Sequence, residues 1–182
     1  MTLRYRVTLT GIKGFYRVYE MDANTTLYTF HKQLRADLEF PQDQLILFKA
    51  LDANGGVVAR YGLFDLGCGT VDNITLKQTL DAGVASFVYF YDVTSRKSVN
   101  ITFEQEVPGK TVPVHFPVLV ETKGPVPLEF ENGYVAFEDL PPEQKHLPGE
   151  DDDDDDDIDF DDEDEEEEDP DEDGKEIYDE NE

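Results

Sequence analysis

Leu3-Arg4-Tyr5-Arg6-Val7-Thr8-Leu9 and, five residues on, Phe15-Tyr16-Arg17-Val18-Tyr19-Glu20-Met21 decide the fold. In the first segment Leu3, Tyr5, Val7 and Leu9 share one face, with Arg4, Arg6 and Thr8 on the other. A period of two marks a strand buried on one side. The second segment alternates in the same way, with Phe15, Arg17, Tyr19 and Met21 opposite Tyr16 and Val18. Thr10-Gly11-Ile12-Lys13-Gly14 supplies a turn between them, so the pair predicts a hairpin.

Downstream, residues 22–26 offer helix caps, and Leu27, Phe30, Leu34 and Leu38 recur at helical spacing. A helix over 26–38 is expected, stopped by Pro41. Leu45-Ile46-Leu47-Phe48 predicts a central strand ending at Leu51. Val57-Val58-Ala59 returns briefly after the turn Asn54-Gly55-Gly56. Residues 62–74 are irregular, 75–80 form a short helical turn, and Phe87–Asp92 is the most apolar strand. Val99–Glu104 pairs with that strand across Thr94-Ser95-Arg96-Lys97. After Pro108 the many prolines favour extended or coil segments over helix. Hairpin, helix, strand, helical turn, strand is the order of a β-grasp (ubiquitin-like) core. The expected class is α+β, a mixed β-sheet with one main helix across it.

Charge divides the chain. Residues 150–182 hold 25 Asp or Glu and one Lys, nearly all of the formal net charge of −28. The reading is therefore an α+β domain at 1–149 and a disordered acidic tail at 150–182. Direct nucleic-acid binding by the intact chain is disfavoured, because the tail opposes a polyphosphate. A basic protein surface is the natural partner of such a polyanion, which can also imitate nucleic-acid phosphates. Ile158, Phe160, Ile177 and Tyr178 interrupt the acid and are the candidate anchors for that partner. Arg4, Arg6 and Arg17 on the hairpin are a candidate basic stripe. The tail is not a calcium loop: Asp156 stands where glycine is needed and Asp162 where glutamate is.

Several segments resemble the plasmid pRiA-type ORF-three-like family, whose members are also labelled TnpR-like transposon passengers. Tyr5–Ile12 resembles its first strand, and Tyr16-Arg17 falls where the family has Trp-Arg. Thr26-Leu27, Phe30-His31 and Leu34 resemble its helix, Phe87–Asp92 its hallmark strand ending in Tyr-Asp, and His115-Phe116-Pro117-Val118 a late Tyr-Pro segment. The likeness covers roughly residues 3–135. The family's Gly-Asp and Trp after Tyr-Asp are replaced by Thr94-Ser95-Arg96-Lys97, and its late cysteines are absent, so the resemblance is to a divergent member. The resemblance implies an α+β domain of largely unassigned function. The resolvase-flavoured label implies no chemistry without an activated nucleophile among arginines.

Chemistry-bearing motifs are few. Phe64-Asp65-Leu66-Gly67-Cys68-Gly69-Thr70 reads like the first motif of an S-adenosylmethionine-dependent methyltransferase, with Asp92 mimicking the ribose-binding carboxylate. Its flanks give a poor strand and no helix, so a loop turned by its glycines is the plainer reading. His31, between Phe30 and Lys32, is expected to be partly exposed. His115 lies in a proline-flanked strand and His146 near the tail, and none has metal-ligand spacing. Cys68 has no sequence neighbour that would activate it and, as the one cysteine, fits a reducing compartment. No apolar run is long enough to span a membrane, and no signal peptide is evident. The expectation is a cytoplasmic, non-enzymatic interaction protein without cofactor or metal, of unspecified oligomeric state. The alternative is a methyltransferase-like enzyme using Asp65-Leu66-Gly67-Cys68-Gly69.

Overall fold

The structure, a computed structural model, describes residues 1–133 and 141–142. The acidic segment, with Ile158, Phe160, Ile177 and Tyr178, lies outside the described residues, as does His146.

Seven strands build one sheet: β1 (Thr2–Leu9), β2 (Ile12–Asp22), β3 (Leu47–Leu51), β4 (Val57–Gly62), β5 (Ser86–Asp92), β6 (Lys97–Val107) and β7 (Val118–Lys123). Their order is β4-β3-β5-β6-β1-β2-β7. The helices are α1 (Leu27–Leu38), α2 (Leu76–Asp81) and α3 (Pro127–Glu131). The element order agrees with the sequence reading, and the class is α+β. The sheet, however, is not mixed. Every pairing between the named strands is antiparallel. Only four residues join β5 to β6, too short a link for a crossover to a parallel strand. So β6 turns straight back and lies between β5 and β1, and the parallel pair that a mixed β-grasp sheet requires is not formed.

One sheet face holds the core. Leu3, Tyr5, Val7, Phe15, Tyr19, Met21, Phe48, Phe87, Tyr89 and Ile101 are fully buried there. Helix α1 covers this face. Thr26 caps it, accepting from the Thr29 amide at 3.2 Å. Phe30 packs edge-on to Tyr19, with centroids 5.5 Å apart, and tilted against Tyr5 at 6.2 Å. Helix α2 starts with a Thr75–Gln78 capping box and is tied to the start of α1 by Leu76 N–H to Thr25 O. The short α3 contradicts the expectation of coil after Pro108. Pro127 occupies its first turn, where a missing N–H costs nothing and the fixed φ favours helix. Glu131 fastens it by accepting from the Tyr91 hydroxyl at 3.0 Å and pairing with Lys97 at 2.6 Å.

His31 is buried, not partly exposed. It lies four residues after Leu27 and three before Leu34, on the buried stripe of α1. Its Nδ1 shares a 2.7 Å hydrogen bond with the Tyr89 hydroxyl. Burial, with lesser contributions from Arg35 and Lys32, lowers its pKa to about 4. The unfolded chain therefore binds a proton between pH 6.5 and 4 that the folded protein refuses. Stability is full above pH 6.5 and falls through that window by about 3 kcal/mol. Urea titrations from pH 7.5 to 4 should show this loss in the parent and a much shallower one in His31→Gln. Equal slopes would remove His31 as the cause.

Candidate functional site

The hairpin arginines do not form one stripe. Arg4 faces Glu20 and Arg6 faces Val18 across the β1–β2 ladder, on the sheet face away from α1. Arg17 faces Val7 and so belongs to the α1 side. Alternation puts neighbouring odd and even positions on opposite faces, which separates 17 from 4 and 6. Nor are Arg4 and Arg6 free cations. Arg4 donates to the Glu20 carboxylate at 2.7 Å and lies 3.7 Å from Glu121; Arg6 pairs with Glu104 and sits 4.6 Å over the Tyr16 ring. Glu20 is buried and also pairs with Lys110. Burial opposes its charge, but Lys110 and Arg4 outweigh burial and hold the carboxyl below its ordinary pKa. Buried Arg17 donates to the carbonyls of Tyr16 at 2.9 Å, Lys123 at 2.6 Å and Gly124 at 2.9 Å. It joins β2 to the end of β7.

The methyltransferase-like loop is closed on itself. One oxygen of Asp65 accepts from the amides of Gly67 at 2.8 Å and Gly69 at 3.0 Å. These bonds, Gly69's first, hold the carboxyl below its ordinary pKa. Asp52 does the same with Asn54 and Gly56 in the β3–β4 turn. The spacing thus marks a turn device, with Gly67 and Gly69 at φ +101° and +98°. The amides that would cradle a ligand are occupied. The loop follows β4, an antiparallel edge strand, and not a parallel strand feeding a helix. Asp92 accepts from the Ser95 amide at 3.0 Å, capping the β5–β6 turn. Cys68 is an exposed free thiol. Among the described residues, no group of three or more His, Cys, Asp or Glu could hold a metal, and no helix is long and apolar enough to cross a membrane.

The same loop presents an apolar surface. Phe64 is 73% exposed, Leu66 57% and Leu45 56%, with Val93 beside them. They surround a recess of about 200 Å³ whose lining, completed by Ile46, Leu47, Gly62 and Leu63, contains no charged side chain. Two ties fix it. Arg35 donates to the carbonyls of Gln42 and Gln44, both at 2.6 Å, holding the chain that leads into Leu45. Val93 N–H donates to Leu45 O at 3.2 Å. Asp65 locks the loop between Phe64 and Leu66. Apolar side chains are thus held out to solvent, side by side, on a fixed frame. Sequence reasoning passes over this patch because Phe64 and Leu66 sit in a glycine-rich loop without periodicity. The available signal is the density of large apolar residues in a stretch that forms no strand or helix.

Three comparisons bear on this geometry. No curated protein matches the chain. Among solved structures, a protein of unknown function from Methanosarcina mazei Go1 is similar with a TM-score of 0.55 and 19% identity, covering 69% of this chain and 70% of that one. At that identity the likeness speaks to the fold alone. The sequence family of plasmid pRiA4b ORF-3-like proteins matches residues 1–176. That span includes the hairpin, the Phe30-His31 helix and the Tyr91-Asp92 strand, and the chain belongs to the plasmid pRiA4b ORF-3-like family.

Proposed function

We propose that this chain is a non-enzymatic interaction protein of the cytoplasm. Its folded part docks another protein on the patch around Phe64, Leu66, Leu45 and Val93. Its acidic segment contacts basic protein surfaces through charge and through Ile158, Phe160, Ile177 and Tyr178. The observation that supports the reading most is the exposure of Phe64 and Leu66 on a loop whose own amides are spent on Asp65. A loop built to bind a cofactor would leave those amides open and hide its apolar side chains. An exposed free thiol is compatible with a reducing compartment.

Affinity capture with the full chain should recover partners that Phe64→Ser/Leu66→Ser loses by about tenfold or more, as removal of two interface anchors entails. A full-length variant with Ile158, Phe160, Ile177 and Tyr178 changed to serine should lose a different, basic set. Identical recovery by all three proteins would sink the reading. So would micromolar binding of S-adenosylmethionine in calorimetry, for which no heat is expected.

A further inference from the structure

A second concave surface lies on the exposed side of α1. It is a groove of about 450 Å³, within the range of small-molecule sites. From α1 it is lined by Tyr28, Lys32 and their helical neighbours, and from the 113–116 turn by His115 and Phe116. The turn is fastened in place. Phe116 N–H donates to Pro113 O at 3.1 Å, and the buried Thr25 hydroxyl donates to Val114 O at 2.7 Å. Thr25 is itself held from both sides, its amide donating to Asp22 O and its carbonyl accepting from Leu76 N–H. The groove thus has a helix for one wall and a pinned turn for the other.

Its lining differs from the rest of the chain. The sequence has 43 acidic residues against 15 Lys and Arg, yet no acid lines this groove. Lys32 forms no ion pair among the described residues; its ammonium lies 5.8 Å from the Tyr28 ring centroid. Phe116 is 69% exposed and Tyr28 38%. The remaining polar groups are already partnered: Gln33 donates to both Asp37 oxygens at 3.0 Å, and Thr29 Oγ1 lies 3.1 Å from Thr26 Oγ1. What is left over is two ring faces, one ammonium and one imidazole.

We propose that this groove binds a small planar aromatic or heteroaromatic ring bearing one anionic group, of the nucleoside monophosphate or aryl phosphate kind. The ring packs on Phe116 and Tyr28, and the anion meets Lys32 and His115. Ring packing on aromatic side chains and a charge-assisted contact at the ammonium supply affinity from separate ends of the ligand. A single anionic group also meets far less repulsion from the acidic chain than a polyphosphate strand, and salt screens most of it. This site is separate from the patch at Phe64 and Leu66 and does not depend on it.

The test is an NMR titration of the isotope-labelled full-length protein with adenosine 5′-monophosphate, phenyl phosphate, adenosine and inorganic phosphate. Saturable shifts are expected at Tyr28, Lys32, His115 and Phe116 with the two ring-bearing phosphates. Adenosine and inorganic phosphate, each offering half the recognition, should bind at least about tenfold more weakly. Tighter binding of the nucleotide assigns a nucleotide source, and tighter binding of phenyl phosphate an aryl one; either supports the site. Lys32→Gln and Phe116→Ala should each weaken binding about tenfold, while Leu66→Ser leaves it unchanged. Both groove positions are exposed, so the variants keep the fold, which near-ultraviolet circular dichroism checks. Absence of saturable shifts up to roughly 10 mM of both ring-bearing phosphates, weaker than even fragment-like affinity, would overturn the proposal. Shifts centred elsewhere, or insensitive to both groove substitutions, would do the same.

Discussion

Gly124→Ala is expected to remove most of the protein's stability, about 4 kcal/mol or more, the range reserved for backbone and core disruption. Gly124 follows β7, where the chain passes against the β1–β2 hairpin. A Cβ there would stand 2.1 Å from Gly14 O, 3.1 Å from Gly14 C and 3.4 Å from Phe15 Cα. All three are backbone atoms, so no side chain can swing aside. The residue also has φ +75°, which a side chain disfavours by roughly 1–2 kcal/mol on its own. Gly109→Ala separates the two effects, since Gly109 has φ +73° but open space around its Cβ position. Urea unfolding should therefore give a small loss for Gly109→Ala and a near-complete loss for Gly124→Ala. Equal losses would mean that the close approach to Gly14 is not real.

Arg17→Ala should cost about 3 kcal/mol, the scale of losing charge-assisted bonds and stranding buried acceptors. The guanidinium serves the carbonyls of Tyr16, Lys123 and Gly124 and lies 4.8 Å from the Phe15 ring centroid. Burial lowers its pKa, against the influence of Tyr19 and Asp37, so its charge is tolerated because backbone carbonyls surround it. Arg17→Lys should recover little, because one ammonium cannot reproduce a planar fork across residues 16, 123 and 124. Hydrogen exchange locates the damage: amides of β7 should lose protection before those of β1. Loss spread evenly over the sheet would contradict a local clamp. Gly124 and Arg17 act on the same junction, so their effects should not add.

These two residues also show where the sequence is readable and where it stops. The hairpin is legible because Leu3, Tyr5 and Val7 and then Phe15, Tyr19 and Met21 share one face at a period of two, interrupted only by Arg17. Helix α1 was legible for the same reason at its own period. Arg17 breaks the hydrophobic alternation of β2, and nothing local reveals that its acceptors at Lys123 and Gly124 lie more than a hundred residues away. The β1–β2 register, which sets Arg17 opposite Val7, is what splits a cationic stripe with Arg4 and Arg6 between the two faces. Element order alone points to a mixed sheet because it does not state which strands are neighbours. The four-residue link from β5 to β6 was the clue. His31 could have been placed correctly, since it completes the stripe of Leu27, Phe30, Leu34 and Leu38. The apolar patch was hidden behind the glycines of its loop, which invite a cofactor reading until Asp65 is seen to consume their amides.

The central claim is that the loop from Phe64 to Thr70 is a docking surface for another protein. A photo-crosslinking residue placed at position 66 of the full-length chain tests it most directly, with position 13, exposed near the start of β2, as control. The account predicts a discrete adduct from position 66 that position 13 does not form and that Phe64→Ser abolishes. The same adducts from both positions, or none from position 66, would contradict it.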